Sequence, residues 1–374
     1  MFAPGVPEVM REFHSTNQEL ASFVVSVYIL GYAVGPLIIA PLSELYGRLP
    51  IYHVCNVLFV ILTVACAVSS NLNMLIAFRF FEGCAGSAAL TIGGGTIADV
   101  IVQEKRGGAM AIWAMGPLLG PVIGPVAGGF LTQAKGWRWV FWVIAIAVRP
   151  RSPQSPVQTP LTTSTQAGAI SISAFYFLRE TYPPTLLARK TRRLRRETGN
   201  ASLISKLDSG LSPRDFFKRS IVRPAKLLLF SPIVLAMSTF MAVVYGYLYL
   251  LFTTITTVFE GGYHFSQGTV GLTYLGIGVG MLVGLVAFGV VSDKIVKRMS
   301  ARGEMKAEYR LPPMIPGAFF VPVGLFWYGW SAQYRVQWIS PILGTSFVGI
   351  GLLAIFVRFS PPPISPPASP VYTP

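Results

Sequence analysis

The sequence is poor in charge, and poorest in acidic charge. Of its 374 residues only 12% are charged, with 15 Asp and Glu against 30 Lys and Arg. So few charges cannot coat a soluble body of this size, whereas a surface facing lipid needs none. The three cysteines, Cys55, Cys66 and Cys84, lack CxxC spacing, and His14, His53 and His264 lie far apart. Neither a disulfide framework nor a metal site is indicated. HExxH and GxSxG are both missing, which removes the commonest hydrolase constellations and argues against an enzyme. Residues 1–19 carry Glu8, Arg11, Glu12 and Glu19 and lack the apolar core of a secretory leader.

What the sequence does have is apolar length. Its mean hydropathy is +0.57, and uncharged runs long enough to cross a bilayer recur along it. They are Leu20 to Leu42, Ile51 to Val68, Ala109 to Leu131, Leu227 to Phe259, Gly268 to Val291, Leu311 to Trp330 and Val336 to Val357. Another, Leu72 to Ile97, is interrupted only by Arg79 and Glu82, and a broken one joins Trp139–Val148 to Ala167–Leu178. The expectation is an all-α integral membrane protein of about nine spans.

Alternating the sides after each span collects most of the basic residues on one face: Arg48, Lys105, Arg106, the stretch 179–226 and the stretch 294–310. The opposite loops hold Lys135, Arg138 and Arg335. The positive-inside rule places the rich face in the cytoplasm. The net charge of +15 is thus explained by orientation, and Arg189 to Arg196 reads as a solvated stretch drawn to anionic lipid rather than as a nucleic-acid site. The stretch 183–226 divides the chain into a half over 1–182 and a half over 227–357, an arrangement of transporters built from parallel repeats.

Two turns repeat each other at corresponding places. Ala40-Pro-Leu-Ser-Glu-Leu-Tyr-Gly-Arg48 follows the first span, with Gly47 permitting the reversal and Glu44 and Arg48 supplying opposite charges. Gly289-Val-Val-Ser-Asp-Lys294 carries Asp293 in the second half. Arg79 and Glu82, three apart in an apolar run, share a helix face, and intramembrane charge is a functional hypothesis by default; a self-neutralising pair is the alternative. Glycines at 116, 120, 124 and 128 make a helix face suited to close packing, as do Gly276, Gly280 and Gly284. Tyr245, Tyr247 and Tyr249 offer aromatic rings to a cavity, with Tyr245 preferred.

These residues carry a resemblance. The turn from Leu42 to Arg48 resembles the signature turn of the major facilitator superfamily, and Arg79-Phe-Phe-Glu-Gly83 resembles the fourth-helix motif of its proton-coupled antiporters. Gly120, Gly124, Pro125, Gly128 and Gly129 match the fifth-helix antiporter motif. Phrases such as Gly136-Trp-Arg-Trp-Val-Phe-Trp142 and Phe177-Leu-Arg-Glu-Thr-Tyr182 are similar to fungal twelve-helix drug:proton antiporters of the polyamine and cycloheximide-resistance exporter type. The resemblance implies alternating access around a midplane cavity, in which the proton and a drug, polyamine or other amphipathic or cationic small molecule compete. Glu44, Gly47, Arg48 and Asp293 would serve conformational control, and Arg79 and Glu82 would stand near the proton site. It also implies no organic cofactor, a monomer, no nucleic acid, and a plasma or vacuolar membrane. Leu49 stands where the family usually has another basic residue. Nutrient uptake and non-transporting sensing are the alternative activities.

Against the family pattern the spans number two to ten, so the expectation is an incomplete fold lacking the first helix and the last two, in a product that folds poorly and does not transport. Residues 148–166 and the proline-rich tail 358–374 fit no helix. Both odd segments begin with Val-Arg, a pair that a fungal donor splice sequence can encode, and both read as translated introns.

Overall fold

A computed structural model gives the chain as α-helices joined by short turns. It describes residues 2–146, 179–200, 202–207, 210, 212–300 and 314–356; at 18, 146, 213, 289–300, 314–315, 353–356 and much of 103–118 it is of backbone alone. The break expected at 148–166 and the tail 358–374 lie outside the described residues. Among those described there is no strand.

After a 3-10 turn at Ala3–Gly5, α1 spans Val6–Glu12, α2 Gln18–Tyr46, α3 Arg48–Ala67, α4 Leu72–Gly86, α5 Ala88–Val100, α6 Gln103–Lys135 and α7 Arg138–Ile146. Two further helices, α8 over Pro183–Thr198 and α9 over Pro213–Phe230, occupy the basic stretch. Then α10 covers Pro232–Thr257 and ends in a π turn, Val258–Gly262; α11 covers Gln267–Thr273, α12 Leu275–Ser300, α13 Met314–Gln333 and α14 Ile339–Phe356. The described apolar runs of the sequence are thus helical over most of their length. By length and hydropathy, five segments among the described residues can cross a bilayer: Glu19–Tyr46, Arg48–Ala67, Leu72–Val100, Pro232–Gly262 and Gln267–Phe288.

Local chemistry sets the helix ends. The Asn17 side chain accepts from the Glu19 and Leu20 amides at 2.9 and 3.3 Å, and that of Asn71 accepts from Met74 at 2.8 Å; each cap contributes about 1 kcal/mol. Ser212 and Asp215 cap α9 reciprocally, the Ser212 hydroxyl donating to the Asp215 carboxylate at 2.6 Å. One expected boundary moves. The run taken to start at Leu227 is split, because α9 continues to Phe230 and Ser231 turns extended before Pro232 opens α10. Pro232 has no amide to continue the ladder of α9, and its ring is accommodated at the first turn of α10.

The chain forms two compact units. The first comprises 1–101, 123–256 and 266–271; the second comprises 102–122, 257–265 and 272 onward. In the first, α2 packs along α4 so closely that a Cβ on Gly31 would land on the Phe80 carbonyl and one on Gly83 on the Tyr28 carbonyl. In the second, the ridge Gly276, Gly280 and Gly284 lies against α14: Gly280 faces the Ser346 carbonyl, and the Ser346 hydroxyl donates to the Gly276 carbonyl at 2.8 Å. Lipid tails are as apolar as leucine, so backbone-to-backbone van der Waals contact is what holds such helices together. Large apolar side chains point outward along the spans, among them Leu37, Ile61, Val286 and Phe326. That is the inverse of a soluble surface and the arrangement a bilayer requires.

Candidate functional site

Two charged clusters are built on the first unit. One sits where α2 turns into α3. Gly47 holds φ +101° and ψ 163°, a backbone region that side chains exclude, and a Cβ there would strike the Glu180 carboxylate. The turn frees the first amides of α3, which Glu180 takes: Arg48 N–H donates to Oε1 at 3.0 Å and Leu49 N–H to Oε2 at 3.3 Å. A carboxylate at a helix N-terminus is favoured by both the free amides and the helix dipole. The Arg48 side chain reaches the other way, its Nε donating to Asp99 Oδ2 at 3.1 Å and a terminal nitrogen to the Ser43 hydroxyl at 3.2 Å. Its guanidinium lies 5.0 Å from the centre of the Tyr182 ring, and Gly95 leaves the room it occupies. Burial pushes the Tyr182 phenol above its ordinary pKa, and the Glu44 carboxylate adds to the shift.

The sequence reading names Glu44 and Arg48 as the opposite charges of this turn, without assigning either a partner. The structure pairs Arg48 with Asp99, 51 positions away. Asp99 and Glu180 were not foreseen, since neither belongs to a repeated motif. One signal for Glu180 was available: it precedes Thr181-Tyr182-Pro183 at the end of an apolar run, where an acid can cap a neighbour.

The second cluster lies on α4. Arg79 and Glu82 do meet, at 3.3 Å, with side-chain exposures of 11% and 2%. Three rings surround the guanidinium: Tyr28 at 4.8 Å, Phe2 at 4.9 Å and Phe141 at 5.6 Å from its carbon. Cation–π attraction is strongest where water is excluded, and here it replaces hydration. Among the described residues Arg79 Nε has no hydrogen-bond partner. On the acid's side, the Thr63 hydroxyl stands 3.0 Å from Glu82 Oε1 and 2.7 Å from the Phe59 carbonyl. It has one hydrogen to give. Turned to Glu82 it satisfies a carboxylate; turned to Phe59 it leaves a lone pair that a protonated Glu82 can donate to. The Cys66 thiol completes the shell, 3.8 Å from Oε2. The site therefore has hydrogen-bond partners for both protonation states of Glu82.

Phe2 reaches this cluster because the N-terminal helix is clamped. Glu8 accepts from the Trp137 amide at 3.1 Å, and Glu12 accepts from the Trp137 indole N–H at 2.6 Å and is paired with Arg138. Burial holds the Glu8 carboxyl above the ordinary range, while the hydrogen bond from Arg138 holds Glu12 below it.

The remaining candidates are placed as follows. Tyr245 is half-buried on α10, and Tyr249, one turn on, stands in the neighbourhood of Tyr28 and Tyr32 of α2. Of the glycine motif on α6, Gly129 faces the Gln267 carbonyl at 2.5 Å and Gly271 faces the Pro125 carbonyl at 2.6 Å, measured from ideal Cβ positions, so this end packs against α11. Gly124 and Gly128 are buried. Among the described residues a Cβ at Gly116 or Gly120 would meet nothing within 4 Å, so contacts with them do not explain that end of the ridge. The backbone of α12 runs through Asp293, whose side chain lies outside the described residues. Among the described residues no group of three or more His, Cys, Asp or Glu could hold a metal ion.

Comparison with known proteins follows the same lines. The profile of the Major Facilitator Superfamily matches residues 1–148 and 163–365. The chain is 58% identical over 361 residues to the MFS-type transporter penM of Penicillium rubens, covering 96% of this chain and 67% of that one. It is 58% identical to the MFS-type transporter tndD of Aspergillus flavipes and 53% identical to the Efflux pump radE of Floropilus chiversii, covering 96% and 95% of this chain. It spans 64% and 63% of the length of those two relatives. In fold it is similar to the xylose transporter XylE from E. coli in a partially occluded inward open conformation. The TM-score is 0.64 at 17% identity, over 96% of this chain and 79% of that one.

Proposed function

This chain belongs to the major facilitator superfamily, a family of transporters and not of enzymes, and from that premise we propose that it works in proton-coupled export of amphipathic or cationic small molecules. The observation that carries the reading is the buried Arg79–Glu82 pair in its aromatic cage. A lone intramembrane carboxylate is costly; beside a guanidinium it can ionise, and beside the rotatable Thr63 hydroxyl it can also hold a proton. Proton occupancy at Glu82 changes what Arg79 is paired with, and a change of pairing in a dry site is a means of biasing alternating access. One relative, radE, is named an efflux pump, which supports export. The Arg48–Asp99–Glu180 cluster would act as the cytoplasmic lock, since it ties the heads of α3 and of the basic stretch together. No cofactor is needed beyond the proton gradient, and a monomer suffices.

The test is flux. A full-length version carrying these residues should, in proteoliposomes, move a radiolabelled polyamine or a fluorescent amphipathic cation when a pH gradient is imposed, whereas the 374-residue chain should not. Glu82→Gln should abolish the pH dependence while leaving the protein folded. Flux of equal pH dependence in Glu82→Gln overturns the assignment of Glu82. Proton movement with substrate in the same direction favours uptake, and binding without flux favours a sensor.

For orientation we propose that the basic stretches face the cytoplasm of a multi-pass protein in the plasma or vacuolar membrane. Asn200-Ala-Ser202 is a glycosylation sequon, at an Asn exposed to solvent. In a eukaryotic membrane it should stay unmodified; glycan on Asn200 would reverse the topology.

A further inference from the structure

We infer that α8 is an in-plane helix that binds the anionic headgroups of the cytoplasmic leaflet, fixed at that level by Glu180. The helix is amphipathic in a particular way. At 100° per residue, Pro183, Leu187, Thr191, Leu194 and Thr198 fall on one stripe, and Arg189, Arg192, Arg193 and Arg196 fall on the opposite side. No residue of α8 is buried; on the stripe Leu194 is 37% exposed while Leu187 and Thr191 are half-buried, and the arginines of the other side are exposed. The unit to which it belongs therefore covers the stripe only in part. A soluble linker gains nothing from a partly exposed apolar stripe opposite a basic one, whereas a helix lying in the headgroup layer uses both.

The second observation is position. Glu180 accepts hydrogen bonds from the amides of Arg48 and Leu49, at the first residues of the span Arg48–Ala67. The start of α8 is three residues beyond Glu180, and consecutive residues reach at most about 3.6 Å each. The helix therefore begins at the membrane boundary, where anionic lipid concentrates. Gly199 closes it with φ +67°, so the basic side is about four turns long and remains beside that surface. Among the described residues Arg189, Arg192 and Arg196 have no hydrogen-bond or ion-pair partner: the ion pair within α8 uses Arg193 and Glu197 and is largely exposed, and Arg195 donates to the Leu203 carbonyl. Each basic residue at an anionic surface strengthens partition by about fivefold.

Hydrogen exchange on the full chain in nanodiscs tests this. With phosphatidylserine added to phosphatidylcholine, amides of 183–198 should exchange more slowly, and high salt should reverse the effect. Arg189→Gln with Arg192→Gln and Arg196→Gln should remove the lipid-dependent protection, while protection of Arg48–Ala67 stays as it was. Leu187→Ser with Leu194→Ser should weaken it without altering charge, which separates insertion from simple counterion attraction. Equal exchange of 183–198 in the two lipid mixtures overturns the proposal. So does protection that appears with added RNA or an acidic peptide in phosphatidylcholine discs and not with phosphatidylserine.

Discussion

Arg48, the first residue of α3, and Asp99, near the end of α5, are joined by a 3.1 Å ion pair whose side chains are 13% and 15% exposed. Breaking it leaves a charge with little water to turn to. Asp99→Asn or Arg48→Ala should each lower the stability of the purified protein by about 1–3 kcal/mol. The double variant should lose less than the sum, because the second change removes the group that the first left unpaired. Additive shifts in thermal midpoint would show that the pair is not coupled.

The glycines separate backbone need from packing need. Gly47→Ala should cost about 1–3 kcal/mol, the strain of a conformation that only glycine adopts easily. Gly129→Ala should also destabilise, since its methyl would press on the Gln267 carbonyl at 2.5 Å. Gly120→Ala meets none of the described residues within 4 Å and should hold or raise stability, by about 0.5–1 kcal/mol. A fall in transport at unchanged stability in Gly120→Ala would assign that position a role beyond packing; unchanged transport would remove it from the motif's working part.

The N-terminal clamp should respond to pH with two opposite signs. The Glu12 value is lowered by Arg138, so its stabilisation is present above the ordinary glutamate range and is lost as pH falls through the lowered value. The Glu8 value is raised by burial, so its neutral form docks freely in acid and its penalty is complete once pH exceeds the raised value. At neutral pH, Glu12→Gln should speed amide exchange over Val6–Glu12 and Glu8→Gln should slow it. Unchanged exchange in Glu12→Gln would dissociate the clamp from its charge.

The family profile matches up to residue 148 and again from 163, and the unmatched 149–162 fall within the segment read as a translated intron. Sequencing the mature transcript should show the codons for 148–166 removed. A spliced message that keeps them would end that reading, and deletion of 148–166 should then impair membrane insertion instead of restoring it.

Much of this was legible without coordinates, and the reason differs by residue. A span declares itself by apolar length, because lipid offers no hydrogen bonds and forces each stretch to satisfy its own backbone. The Arg79–Glu82 pair was legible because three residues make one helix face. Asp99, Glu180, Tyr28, Thr63 and Phe2 were not, because each reaches its partner across a packing contact that no sequence spacing encodes. The start of the span expected at Leu227 moves for a smaller reason: hydropathy does not see that Pro232 restarts a helix.

Composition and short-range periodicity are enough to place this chain in a membrane, to make its fold helical and to mark the few intramembrane positions that admit charge, and short motifs carry its family resemblance. The tertiary structure alone decided that Arg48 answers to Asp99, that Arg79 sits among three rings, and that Glu82 faces a hydroxyl able to serve either of its protonation states. Pairings of that kind depend on which helices approach within a few ångströms, and in this chain the approach is set by backbone contacts at glycines such as Gly31 and Gly83.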